Sequence, residues 1–89
     1  MAYVLVQHNV KDYSEWKKGF DNAADLRHAN GEKSAWIFQS EDDPNAITGL
    51  FEWDNLENGR KYFEMPELKE AMKQAGVIGA PKIFFLSKG

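Results

Sequence analysis

His8 carries the plainest chemical potential in this sequence. It lies in Val4-Leu5-Val6-Gln7-His8-Asn9-Val10, where strict alternation groups it with Val4, Val6 and Val10 on one face of a strand. An imidazole among valines can shuttle a proton or meet a polar ligand group, because its ordinary pKa lies close to neutrality. The same position also suits a core histidine held by one hydrogen bond. Arg27 poses a related question. It falls on the apolar stripe of a helix, one turn past Ala23 and Ala24. A guanidinium there must find a carboxylate, carbonyl oxygens or a ligand anion. Around these two residues Trp16, Trp36, Phe51, Trp53, Tyr62 and Phe63 could line a flat apolar cavity or simply fill a core. His8 is the candidate base. Tyr13, Trp16, Arg27, Trp36 and Tyr62 are the candidate ligand contacts, with Tyr62 or Tyr13 as hydrogen-bond donor. His28 follows Arg27 at a helix end, where a cation complements the dipole, and reads as a surface residue.

Composition closes several other routes. The chain has no cysteine, which removes disulfides, thiolate nucleophiles and thiolate metal sites together. His8 and His28 lie far apart, on a strand and at a helix end, with no ligand cluster around either, so no metal site is expected. Asp42-Asp43-Pro44-Asn45 reads as a solvated turn rather than a calcium loop. The net charge is −3 and basic residues are scattered among acids, so no nucleic-acid footprint is present. Ile47 to Trp53 lacks the basic residue that an RNA-stacking strand needs and carries Glu52 instead. The apolar run Tyr3 to Val6 stops at Gln7-His8, too short for a signal peptide or a membrane span, which makes the cytoplasm the expected location.

The elements that must position these residues follow from the hydrophobic periods. The pattern runs strand, helix, strand, strand, helix, strand within 89 residues, room for one domain over 1–89. That order is the split βαβ plan of a ferredoxin-like α+β sandwich, a four-stranded antiparallel sheet with helices on one face. Asp12 opens the first helix as the cap of an Asp-x-x-Glu box with Glu15, and Asn30-Gly31 closes it. Strands are expected over Ser34 to Ser40 and Ala46 to Trp53. Asp54 repeats the box with Glu57 ahead of the second helix, Pro66 predicts a break near Met65, and Gly76 ends the segment. Val77 to Pro81 is expected as a loop before a last strand over Lys82 to Leu86.

Both faces of the predicted sheet are apolar: Val4 and Val6 against Tyr3 and Leu5, Ile83 and Phe85 against Phe84 and Leu86. An antiparallel sheet with one wet face should alternate apolar and polar residues. A contiguous apolar patch across strands marks an interface, and the expected partner is a second copy of the chain.

The sequence resembles the dimeric α/β-barrel superfamily, in particular the small stand-alone domains grouped with antibiotic-biosynthesis monooxygenases (ABM-like domains). The likeness spans nearly the whole chain. It rests on Val6, His8, Val10, Asp12-Tyr13, Trp16 and Phe20-Asp21, then Arg27, Gly31 and Asp42-Asp43-Pro44-Asn45, then Glu52-Trp53, Leu68, Ala71-Met72, Ala75-Gly76-Val77, Gly79 and Pro81. The resemblance implies two sheets packed back to back as a dimeric α/β barrel, with any ligand pocket between each sheet and its own helices. Haem-degrading relatives use an Asn on the first strand with a Trp and a His on the second helical segment. Those positions fall here on His8, Tyr62 and Met72, which disfavours haem degradation. The function implied is small-molecule binding without a cofactor, as a cofactor-independent monooxygenase or isomerase acting on an aromatic or polyketide-like compound. In that class the deprotonated substrate itself performs the oxygen chemistry. The alternative is a non-enzymatic binding or interaction module.

Overall fold

The computed structural model describes residues 2–89. Its elements are β1 (Ala2–Val10), α1 (Tyr13–Asn22), α2 (Ala24–Ala29), β2 (Glu32–Gln39), β3 (Ala46–Trp53), α3 (Leu56–Phe63), α4 (Pro66–Gln74) and β4 (Val77–Ser87). The strands form one antiparallel sheet in the order β2-β3-β1-β4. This is the ferredoxin-like α+β arrangement expected from the sequence, with each helical segment divided in two.

The alternation of β1 and β3 sorts their side chains as period 2 requires. Two cross-strand rows line the inner face, Ala35–Phe51–Val4–Phe85 and Ile37–Gly49–Val6–Ile83. Val4, Val6, Phe51, Trp53, Tyr62 and Phe63 form the main core, and Val10, Trp16 and Ile47 form a second cluster beside it. The outer face carries the row Trp36–Leu50–Leu5–Phe84, and Tyr3 pairs with Leu86 next to it.

The helix ends are set by local chemistry. The Asp12 carboxylate accepts the Glu15 backbone N–H at 3.0 Å, as a capping residue should. Gly31 adopts φ 117°, and a Cβ there would come within 2.5 Å of the Asp54 carboxylate, so glycine is required on both counts. Met65, in extended backbone, precedes Pro66 at the start of α4, so the break falls where proline predicts it.

Three expectations need correction. The first helix is not continuous to Asn30, because Ala23 (φ −91°, ψ 4°) separates α1 from α2. The Ala23 N–H contacts both the Gly19 and Phe20 carbonyls, and the Arg27 guanidinium takes up the Phe20 carbonyl at 2.6 Å. The apolar stripe continues through the break, so periodicity cannot register it. The cap of α3 is Asn55, not Asp54: its side chain accepts the Asn58 N–H at 2.8 Å, while Asp54 accepts the Asn55 N–H and the Asn58 amide. Finally, Val77 to Pro81 is strand rather than loop. Val77 pairs with Val10 and Ile78 with Asn9, after which the register shifts opposite His8 before Lys82 pairs with Gln7. The three residues Gly79, Ala80 and Pro81 occupy that irregularity, and Gly79 takes φ 71°.

Candidate functional site

A cavity of about 100 Å³ lies between the inner face of β1 and β3 and the helices. Its walls are apolar, from Val6, Phe20 and Phe51 to Leu68 and Met72, and three polar side chains border it: His8, Arg27 and Tyr62. Gly49 forms part of the floor; a Cβ there would lie 2.8 Å from the Phe51 ring, so the missing side chain is what lets that ring lie over the strand.

His8 reaches the cavity from β1, opposite Ile47. Its ring meets Trp16 edge-on, with centroids 5.3 Å apart. Among the described residues Nδ1 is buried with no hydrogen-bond partner. Burial lowers the imidazole below its ordinary pKa, and its own backbone opposes that shift without cancelling it. The neutral ring therefore offers one donor and one acceptor nitrogen, and an unfilled hydrogen-bonding position on Nδ1.

Trp16 and Phe20 continue the same wall along α1, their rings stacked at 5.1 Å. Arg27 stands at the far end of that wall, its guanidinium carbon 3.7 Å from the Phe20 ring centroid. The guanidinium is nearly enclosed, at 6% exposure, and its Nε donates to Glu32 Oε2 at 2.7 Å. The Glu32 side chain is 1% exposed and also lies 3.3 Å from the exposed His28 ring. Burial raises the Glu32 pKa, and the Arg27 and His28 charges oppose that rise. Tyr62 comes from α3 and is raised chiefly by burial, with Arg27 pulling it down and Glu32 pushing it up, so it remains a neutral phenol. Two polar ends are thus separated by an aromatic wall: a neutral imidazole at one, an ion pair and a phenol at the other.

The structure brings His8, Trp16, Arg27 and Tyr62 together as the sequence reading grouped them. It does not bring Trp36 or Tyr13. Trp36 lies on the outer face beside Leu50 and is 44% exposed, on the side of the sheet away from the cavity. The alternation already put Trp36 opposite Ile37, and that placement excludes it from a helix-side pocket. Tyr13 packs on Trp16 at 6.0 Å but does not border the cavity.

Glu32 is the site residue that the sequence reading missed. Strict alternation would place it with Ser34 and Trp36 on the outer face. The register shift between Glu32 and Ser34 instead pairs Glu32 with Trp53 and turns its carboxylate inward to Arg27. The signal available was the buried Arg27 itself, which needed an acid close by.

Among the described residues no cluster of His, Asp or Glu has the composition of a metal site, and no helix is long and apolar enough to cross a membrane.

No protein-family model and no curated protein matches the chain. Solved structures do match it along its whole length. A candidate antibiotic biosynthesis monooxygenase from Bordetella bronchiseptica superposes with a TM-score of 0.79 at 17% identity, covering 99% of this chain and 96% of that one. SnoaB, a cofactor-independent oxygenase from Streptomyces nogalater, gives 0.72 at 13% identity over 99% and 94% of the two chains. A monooxygenase from the gene ActVA-Orf6 of Streptomyces coelicolor, solved with the ligand nanaomycin D, gives 0.69 at 22% identity over 99% and 87%. The chain therefore has the ABM-like, ferredoxin-like fold that its motifs resemble.

Proposed function

We propose that this protein binds a small, largely apolar molecule in the cavity beneath its helices and acts on it as a cofactor-independent monooxygenase. The observation that carries the reading is an apolar cavity whose polar side chains are His8 at one end and Arg27 and Tyr62 at the other, His8 having no hydrogen-bond partner on Nδ1 among the described residues. A buried polar atom without a partner costs stability and calls for a reason, a functional role at a site being one. The fold shared with a protein described as a cofactor-independent oxygenase supports the same reading.

The chemistry this site can support is limited and specific. Neutral His8 accepts a proton from an acidic C–H or O–H of the substrate, and the depressed pKa restricts it to substrates that are themselves fairly acidic. The resulting carbanion passes electrons to molecular oxygen. In the net reaction a methylene becomes a carbonyl, one oxygen atom enters the product and the other leaves as water with the two hydrogens removed. The aromatic wall of Trp16, Phe20 and Phe51 orients a flat ring and excludes bulk water, while Tyr62 can donate to an oxygen at the opposite end. At about 100 Å³ the cavity is smaller than the roughly 150 Å³ that accommodates benzene in an engineered protein cavity. The cavity is open on one side, so a single ring can enter with its substituent at the mouth, whereas a fused polyketide exceeds the space.

The outer face completes the proposal. The row Trp36–Leu50–Leu5–Phe84 crosses all four strands, and an apolar stripe of that extent fits a homodimer joined through the sheet.

The test is a nuclear magnetic resonance screen of single-ring aromatic compounds, following His8 and the Met72 methyl, then oxygen uptake by each binder with no cofactor added. Oxygen uptake that collapses in His8→Leu without loss of folding supports the reading. Binding without uptake leaves the non-enzymatic module, and absence of binding removes the ligand-site reading altogether.

A further inference from the structure

The charge of Arg27 decides what kind of molecule the cavity can hold. Among the lining residues it is the one with a permanent charge; the others are apolar, apart from the neutral His8 and Tyr62. An isolated guanidinium in an apolar cavity would be a strong anion trap, because the low dielectric leaves its field unscreened and its fork matches a carboxylate. Glu32 removes that character. It sits behind Arg27 on β2, outside the cavity lining, and its carboxylate holds Nε at 2.7 Å while remaining 1% exposed. The pair as a whole is neutral toward the cavity. β2 slips register between Glu32 and Ser34, and that irregularity turns the carboxylate inward.

We propose that Glu32, by neutralising Arg27 from behind, makes this cavity select neutral ligands and reject carboxylates. Glu32 is a specificity-determining residue that acts through Arg27 and touches no ligand itself. The inference rests on the reading of the cavity as a ligand site.

The consequence is sharp for isosteric probes. Benzamide and benzoate are nearly the same size and differ in charge, so size cannot separate them. The wild-type protein should be stabilised by benzamide and unaffected by benzoate in thermal melting, since only a ligand of the native state raises the melting temperature. Glu32→Gln keeps an oxygen facing Arg27 Nε but removes the negative charge. This variant should gain benzoate binding by roughly tenfold or more, as expected when a charge-assisted contact becomes available. The double variant Arg27→Met, Glu32→Gln should lose that gain and still bind benzamide. If Glu32→Gln does not fold alone, benzoate should restore folding and benzamide should not, which keeps the charge reversal measurable.

Wild-type protein that binds benzoate as well as benzamide overturns the proposal while leaving the ligand site intact. So does a Glu32→Gln variant whose preference is unchanged, or one that neither compound restores. If neither probe stabilises any variant, the ligand-site reading fails and the proposal falls with it.

Discussion

The two faces of this sheet are made by the same four strands, one residue out of phase, yet they present different surfaces. The inner face carries Val4, Val6, Phe51 and Trp53 under the helices and admits only His8 as a polar side chain along β1. The outer face carries Trp36, Leu50, Leu5 and Phe84 in one row, with Trp36 and Phe84 each 44% exposed. An apolar residue on the inner face is held by packing from two sides and has no alternative. An apolar residue on the outer face is held from one side, and the proposed homodimer would cover the other. The difference shows that hydrophobicity alone does not mark a core; what covers the face does.

The comparison is tested most severely by its two tryptophans. Trp53, fully buried against Tyr62 and Phe63, should cost about 3–5 kcal/mol when changed to Ala, measured by urea denaturation. Trp36→Ala, measured at dilution where the monomer dominates, should cost less than about 1 kcal/mol. Similar losses at both positions would mean that the outer face is not an open one. The next effect is on assembly. Wild-type protein should scatter light with a mass above the 10.2 kDa of one chain, and Leu5→Glu should return it to the monomer or aggregate it, because a charge facing its own symmetry mate has no partner. A wild type already monomeric at micromolar concentration would leave the outer row without a role.

The smallest effect belongs to His8. Its folded-state pKa lies below the ordinary 6.5, so the folded protein prefers the neutral ring and the unfolded chain binds the proton more readily. The stability this contributes is present above pH 6.5 and is lost as the pH falls through the folded value. Melting temperature should therefore drop between pH 7 and pH 5 more in wild type than in His8→Leu, and equal slopes would show that His8 is not buried as described.

Much of the fold was legible because its signals are local. Alternation in Val4 to Val10 and in Ile47 to Trp53, the Asp12 cap and the Pro66 break each depend on a few neighbouring residues. The site was half legible. His8, Trp16, Arg27 and Tyr62 could be grouped from the faces they share, but Trp36 was placed in the site against its own alternation, and Tyr13 stops one layer short.

By itself, the sequence determined which residues alternate, where helices begin and that Arg27 would need a partner, because these follow from chain geometry over one or two turns. Only the tertiary structure decided that the partner is Glu32, since one slip of register at Lys33 puts Glu32 on the face opposite to the one that alternation gives it. It also decided that the first helix breaks at Ala23, where the Phe20 carbonyl is taken up by Arg27, and that β4 begins at Val77, held by Val10 from the far end of the chain. The size of the cavity belongs to the same class. It is the space left where β1, β2 and β3 meet the four helices, and no single segment contains it.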